Sequence, residues 1–71
     1  MRTKIRLDTI TDIANFVLVA TSVKAPVYLT SDTGLKVDAK SFLGVAHAHE
    51  FDSLWCECEE DIYSKIKQFT V

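Results

Sequence analysis

The amino-acid sequence predicts an α+β protein, an open-faced β-sandwich with one four-stranded antiparallel sheet and three helices on one face. Four short segments alternate apolar and polar residues with period two, which is typical of strands with one buried face. Three other segments repeat apolar residues at helical spacing. The segments follow the order β-α-β-β-α-β-α along the chain. Because the strands alternate and are not apolar throughout, we expect an antiparallel sheet covered on one side.

The first strand and the first helix are predicted in the N-terminal third of the chain. Residues 2–8 alternate polar and apolar side chains. The inner face of the helix is then predicted from Ile13, Phe16, Val17 and Ala20. Thr11 or Asp12 is expected to cap its start, because a side-chain oxygen can accept a free backbone N–H there. Pro26 is expected to stop the helix, since proline disfavours helical geometry in the residue before it.

A hairpin and a second helix follow. Val27 and Leu29 alternate with polar neighbours in the second strand, and residues 31–34 have the composition of a tight turn with a glycine for positive φ. The third strand is predicted to turn Leu35, Val37 and Ala39 inward. Ser41 is then expected to cap a short helix. The inner side of that helix is predicted to consist of Phe42, Val45, Ala46 and His49.

The fourth strand and the third helix complete the predicted fold. Leu54, Cys56 and Cys58 are expected to face the core, which leaves Trp55 on the open side of the sheet. The inner face of the last helix is predicted from Ile62, Ile66 and Phe69. Acidic residues at 59–61 and lysines in later turns complement the helix dipole.

Composition narrows the classes of function. Seventy-one residues with 48% apolar content are enough for a single domain with one core. The net charge of −2 argues against nucleic-acid and membrane partners. No apolar run approaches the roughly 18 residues of a membrane helix, and no signal peptide is expected. Two cysteines make no disulfide framework and fit a reducing compartment, so we expect a cytoplasmic protein.

One segment carries a resemblance to a known family. The run Val37-Asp38-Ala39-Lys40-Ser41-Phe42-Leu43-Gly44-Val45 resembles V-N-A-K-S-[IL]-[ML]-G-V of the histidine-containing phosphocarrier (HPr) proteins. In that family the segment joins the third strand to the second helix. The run Ile13-Ala14-Asn15-Phe16-Val17 is similar to A-A-x-F-V in the family's first helix. The resemblance extends over nearly the whole chain, is closest around Ser41, and implies an HPr-like fold.

The resemblance also implies where a carrier site would lie. Family members carry phosphate from a phosphoenolpyruvate-dependent enzyme to sugar-transport proteins on a histidine in G-[LIV]-H-x-R-P, directly before the first helix. Imidazole is a nucleophile near neutral pH, and an arginine with the helix N-terminus stabilises the anion. The corresponding segment here has none of these groups and contains Thr9, Ile10, Thr11 and Asp12. We therefore expect a degenerate carrier site and no enzyme activity.

The family's second site falls on Ser41. In HPr proteins of Gram-positive bacteria a dedicated kinase phosphorylates this serine, and the phosphoserine form binds a transcription regulator. The resemblance therefore implies regulatory phosphorylation of Ser41, with Lys40, Phe42, Leu43 and Ala46 as partner-binding residues. A helix N-terminus stabilises a phosphate dianion, and Lys40 beside it adds a favourable interaction. The alternative is that Ser41 is a helix cap and nothing more.

No metal ion or other cofactor is expected. His47 and His49, two residues apart on a helix, point about 200° apart, so one is expected to face the core and the other solvent. The Cys56-x-Cys58 spacing is a weak zinc signature, and both thiols fall on the apolar side of a strand.

Three functions remain open. The leading hypothesis is a regulatory, protein-binding HPr-like module, with partners from the phosphotransferase and catabolite-regulation systems. The second is an atypical phosphocarrier that uses Thr9, Thr11 or Asp12. The third is a structural domain that forms a homodimer through the open side of the sheet, where Tyr28 and Trp55 would lie.

Overall fold

The computed structural model describes residues 1–71 and contains one four-stranded antiparallel sheet and three helices. The strands are β1 (Arg2–Ile5), β2 (Val27–Thr30), β3 (Lys36–Asp38) and β4 (Leu54–Cys58), in the spatial order β1-β4-β2-β3. The helices are α1 (Ile10–Ser22), α2 (Phe42–Ala48) and α3 (Tyr63–Ile66), and a 3₁₀ turn (Lys67–Phe69) follows α3. The predicted α+β class, element order and antiparallel sheet are confirmed. No helix is long and apolar enough to cross a bilayer.

The strand register sorts side chains onto two faces. On the outer face, one cross-strand row contains Arg2, Glu57, Tyr28 and Asp38, and the next contains Lys4, Trp55, Thr30 and Lys36. The intervening row, Thr3, Cys56, Leu29 and Val37, faces inward. Because side chains alternate along a strand, the period-two pattern of β4 placed its residues correctly.

The core lies between the inner face of the sheet and the helices. Its 17 buried apolar residues form one cluster. From α1 it takes the predicted Ile13, Phe16 and Ala20, while Val17 is half-buried at its margin. The predicted Ile62, Ile66 and Phe69 are also buried. The rings of Phe16 and Phe69 meet edge to face at 5.3 Å, and this contact joins the first helix to the last turn.

The two outer edges of the sheet differ. Residues 69–71 run along the outer edge of β1, where Arg6 N–H donates to the Phe69 carbonyl at 2.8 Å and Val71 N–H donates to the Lys4 carbonyl at 3.2 Å. The other edge, β3, has only three residues and carries Lys36 and Asp38. A short, charged edge strand resists pairing with other chains.

The strand boundaries differ from the prediction at two places. The strand β1 ends at Ile5, although the polar–apolar alternation continues to Asp8. The reason is that the chain leaves the sheet after Ile5 and is covered by residues 69–71. The β2–β3 turn has the expected glycine, since Gly34 adopts φ +91°. Leu35 was expected to face the core and is exposed instead, because it still belongs to this turn.

The inner side of α2 was predicted incorrectly in part. Val45 and Ala48 are buried, whereas Phe42 and His49 are exposed and Ala46 is half-buried. The helix has only seven residues, so Phe42 lies at its open first position and His49 at its C-cap. A face built from Val45 and Ala48, three residues apart, then points inward.

The last helix is shorter than the apolar spacing predicted. The helix α3 has four residues, and the chain tightens into the 3₁₀ turn before Phe69. The acidic residues 59–61 precede the helix, and the Asp61 carboxylate accepts the Tyr63 N–H at 3.0 Å. The acidic run thus lies just before the start of α3, and Lys65 lies in its last turn.

Candidate functional site

Ser41 lies at the junction between β3 and α2. Its N–H donates to the Asp38 carbonyl at 3.1 Å, and its Oγ accepts the Gly44 N–H at 3.1 Å. The predicted helix cap is therefore confirmed. A Cβ at position 44 would lie 3.2 Å from the Asp38 carbonyl oxygen, so glycine allows the tight approach of helix and turn. The Ser41 side chain is half-buried, with its oxygen at the start of the helix.

Lys40 links this junction to α1. Its Nζ donates to the Val23 carbonyl at 2.6 Å, which satisfies a carbonyl at the end of that helix. The ammonium group is thus hydrogen-bonded to α1 and not to Ser41. The contact also brings the end of α1 next to the start of α2.

The residues after Ser41 form an apolar surface. Phe42 and Leu43 are both exposed, by 45% and 82%. Both lie in the first turn of α2, before the buried Val45. Ala46, on the same helix, is half-buried, and Ile10 and Leu18 are the large apolar side chains that α1 exposes.

Residues 9–12, which the resemblance aligns with the family's carrier site, form the start of α1. The N-cap is Thr9, and not Thr11 or Asp12 as expected. Thr9 Oγ1 accepts the Asp12 N–H at 3.1 Å, and the Asp12 carboxylate accepts the backbone N–H groups of Thr9 at 3.3 Å and Asp8 at 3.0 Å. This reciprocal arrangement is a capping box, in which only a residue three positions before Asp12 can take part. Ile10 and Thr11 are exposed.

Arg6 is the cation nearest to this segment in sequence, and it is already paired. The Arg6 guanidinium donates to the Asp8 carboxylate at 2.7 Å. That hydrogen bond raises the pKa of Arg6 above its ordinary value. The start of α1 thus presents carboxylates that are already hydrogen-bonded. Because a phosphoryl group is itself negatively charged and needs a cation, this is a poor environment for it.

The two candidate sites lie at opposite ends of α1. The carrier segment begins the helix, whereas Lys40 and Ser41 lie by Val23 at its end. Thirteen residues at 1.5 Å each separate them by about 20 Å. The structure does not combine them into one site.

The histidines and cysteines are not brought together. Both His47 and His49 are exposed, so the expectation that one faces the core is wrong. The reason is that Ala48, between them, takes the inward position. Cys56 and Cys58 are buried, and burial raises the pKa of Cys56 to about 12, which keeps its thiol neutral. No three His, Cys, Asp or Glu residues are grouped as metal ligands would be.

The outer face of the sheet carries a network of charged and aromatic side chains. The Arg2 guanidinium lies 4.1 Å from the centre of the Trp55 ring, and the Lys36 ammonium lies 4.2 Å from that of Tyr28. Trp55 Nε1 donates to Asp32 at 2.8 Å, and this hydrogen bond is the main cause of a lowered Asp32 pKa. The rings are therefore contacted by the chain's own cations.

Glu57 is the centre of this network. Its carboxylate accepts the Thr30 hydroxyl at 2.7 Å and the Arg2 Nε at 3.1 Å. Both bonds lower the Glu57 pKa, the one from Thr30 most strongly. A shallow cleft of about 300 Å³ lies beside it, lined partly by Tyr28 and Lys36. Sequence reasoning placed Trp55 and Tyr28 on this face but missed the network, which depends on β4 lying between β1 and β2.

Comparison with protein-family models, curated proteins and solved structures finds no match to this chain. The resemblance to HPr proteins therefore rests on the sequence motifs alone.

Proposed function

We propose that this chain is an HPr-like regulatory module that binds proteins, with Ser41 as its phosphorylation site and no carrier activity. The single observation that supports it most is the place of Ser41. The nine-residue segment that resembles the family ends β3 and begins α2, which is where the resemblance implies it should be. Within that segment Ser41 is the helix cap.

The surroundings of Ser41 suit recognition by another protein. Phosphorylation would add about 1.5 to 2 negative charges beside the exposed Phe42 and Leu43. A partner that reads this state would place an arginine or lysine on the phosphate and an apolar pocket on the neighbouring side chains. Partners of this kind belong, on this proposal, to the cytoplasmic phosphotransferase and catabolite-regulation systems.

The start of α1 supports the loss of carrier activity. A histidyl carrier needs an imidazole and a cation directly before the first helix. Here the capping box of Thr9 and Asp12 occupies that place, and Arg6 is paired with Asp8. The Asp12 carboxylate already accepts two backbone N–H groups, and no free cation is in place beside it to hold an incoming phosphoryl group.

The test is to incubate the protein with ATP and an HPr kinase and to map phosphate by mass spectrometry of its peptides. The proposal expects one phosphate on Ser41 and none in Ser41→Ala. Ser64→Ala, which removes an exposed serine on α3, is the matched control and should still be phosphorylated. Phosphate that persists in Ser41→Ala, or none in the wild type, contradicts the proposed regulation.

A further inference from the structure

The backbone that leads into Ser41 is held by hydrogen bonds. Lys40 N–H donates to the Asp38 carboxylate at 2.9 Å, and Ser41 N–H donates to the Asp38 carbonyl at 3.1 Å. One residue earlier, Ala39 N–H donates to the Val27 carbonyl of β2 at 2.9 Å. Because these amides are all bound, a chemical change at Ser41 is taken up by side chains more easily than by the backbone.

The side chain of Lys40 binds an uncharged group. Its ammonium donates to the Val23 carbonyl at 2.6 Å, and no carboxylate lies within ion-pair distance of it. Val23 is the C-cap of α1, so this bond joins the end of α1 to the residue before the N-cap of α2. Hydrogen bonds between two charged groups are shorter and stronger than those to a neutral carbonyl. An anion within reach of Lys40 would therefore compete with the Val23 carbonyl for the ammonium.

A phosphate on Ser41 is such an anion. Phosphoserine carries about 1.5 to 2 negative charges and three strong acceptor oxygens. Lys40 is the preceding residue, and its flexible four-carbon stem lets the ammonium turn without a change in the backbone. The only other lysine or arginine between residues 25 and 64 is Lys36, whose ammonium lies over the Tyr28 ring on the outer face of the sheet. Lys40 is therefore the cation best placed to bind the phosphate.

We propose that phosphorylation of Ser41 moves the Lys40 ammonium from the Val23 carbonyl to the phosphate and so releases the end of α1. In the kinase step Ser41 Oγ forms an ester with the γ-phosphoryl group of ATP, and ADP and the hydroxyl proton leave. The inference rests on the proposed function in taking Ser41 as the phosphorylated residue. It adds that the modified chain differs from the unmodified one at two places, the start of α2 and the end of α1.

The end of α1 is sensitive to this one contact. Val23 N–H bonds within the helix, to the Ala20 carbonyl at 3.1 Å, and the Ser22 hydroxyl bonds to the Val19 carbonyl at 2.6 Å. Among the hydrogen bonds of this last turn, the one from Lys40 is the only one whose donor lies outside the helix. The Val23 side chain is buried and keeps α1 packed on the core. Loss of the Lys40 bond should therefore loosen the last turn and leave the fold intact.

The experiment compares the full chain with serine and with phosphoserine placed at position 41 during its synthesis, so that no kinase is needed. The readout is the NMR chemical shift of the Val23 carbonyl carbon, which changes when a hydrogen bond to that carbonyl is lost. Lys40→Met in the unmodified chain gives the shift without the ammonium. We expect phosphoserine to move the Val23 signal to that position, and to move it no further in Lys40→Met. Lys24→Met, at an exposed lysine next to Val23, is the matched control and should respond as the wild type does.

Two results overturn the inference: a Val23 signal that phosphoserine leaves in place, and a phosphoserine shift that is undiminished in Lys40→Met. If Lys40→Met does not fold, the scalar coupling between the Lys40 ammonium nitrogen and the phosphorus decides, and its absence overturns the inference. None of these results bears on whether a kinase modifies Ser41. A chain that no kinase modifies contradicts the proposed function, and the inference is then decided on the synthetic phosphoserine chain alone.

Discussion

A single threonine decides where the first helix begins. The sequence pattern predicted Thr11 or Asp12 as the N-cap, although Thr9 is of an equally suitable residue type. The structure selects Thr9 because its hydroxyl reaches the Asp12 N–H while the Asp12 carboxylate reaches back to the Thr9 N–H. Sequence reasoning missed this because the third residue is aspartate, whereas the usual capping box has glutamate or glutamine there.

The capping box predicts a stability difference between two neighbouring threonines. Thr9→Ala should lower the free energy of unfolding by about 1 kcal/mol, because a free N–H at the helix start loses its partner. Thr11→Ala is the control and should cost nothing measurable, since Thr11 is exposed and alanine favours the helix. Urea denaturation followed by circular dichroism measures both values. Equal losses in the two variants would mean that Thr9 is not the cap.

At the scale of elements, the spacing of apolar residues predicted which side chains face inward better than it predicted how long each element is. The inward residues of α1 and β4 followed from their spacing, because each element is long enough for several residues to define a face. The shorter helices were harder. In α2 only Val45 and Ala48 face inward. Two residues do not define a helix face, so the sequence could not distinguish this face from one that includes Phe42 or His49.

Lys40 connects two elements, and its removal should show this. Lys40→Met keeps the alkyl chain and removes the donor to the Val23 carbonyl. We expect the free energy of unfolding to fall by about 1 to 2 kcal/mol, because hydrogen bonds from charged groups contribute more than neutral ones. Lys24→Met, at an exposed lysine nearby, should change it by less than about 0.5 kcal/mol. If thermal and urea unfolding of the two variants coincide, the Lys40 contact contributes nothing.

The strand β4 should make stability depend on pH through Glu57. The folded-state pKa of Glu57 lies below its ordinary value of 4.5, because Thr30 and Arg2 bind the charged form. Its contribution is therefore present above pH 4.5 and is lost as pH falls through the lowered folded-state pKa.

Unfolding measured at several values between about pH 5 and pH 3 tests this. Glu57→Gln should lose less stability across that range than the wild type does. Glu60→Gln, an exposed control, should keep the wild-type slope. A Glu57→Gln slope identical to that of the wild type would show that the carboxylate network does not stabilise the fold.

For the whole molecule, the sequence predicts the sheet layer and the helix layer but not the side-chain contacts on their outer surfaces. The antiparallel sheet and its helical cover follow from alternation and helical spacing. The contacts of Trp55 with Arg2 and Asp32 depend on strand order, which brings together residues far apart in the chain. The roughly 20 Å between the carrier segment and Ser41 likewise depends on how α2 packs against α1.

The central proposal is that Ser41 is a regulatory phosphorylation site and that this chain does not transport phosphate. It is tested most directly by mass spectrometry after two parallel reactions. One contains phosphoenolpyruvate and the first enzyme of the sugar phosphotransferase system, and the other contains ATP and an HPr kinase. We predict phosphate on Ser41 in the ATP reaction and an unmodified protein in the other. Phosphate from phosphoenolpyruvate on any residue, above all Thr9, Thr11 or Asp12, would contradict the account.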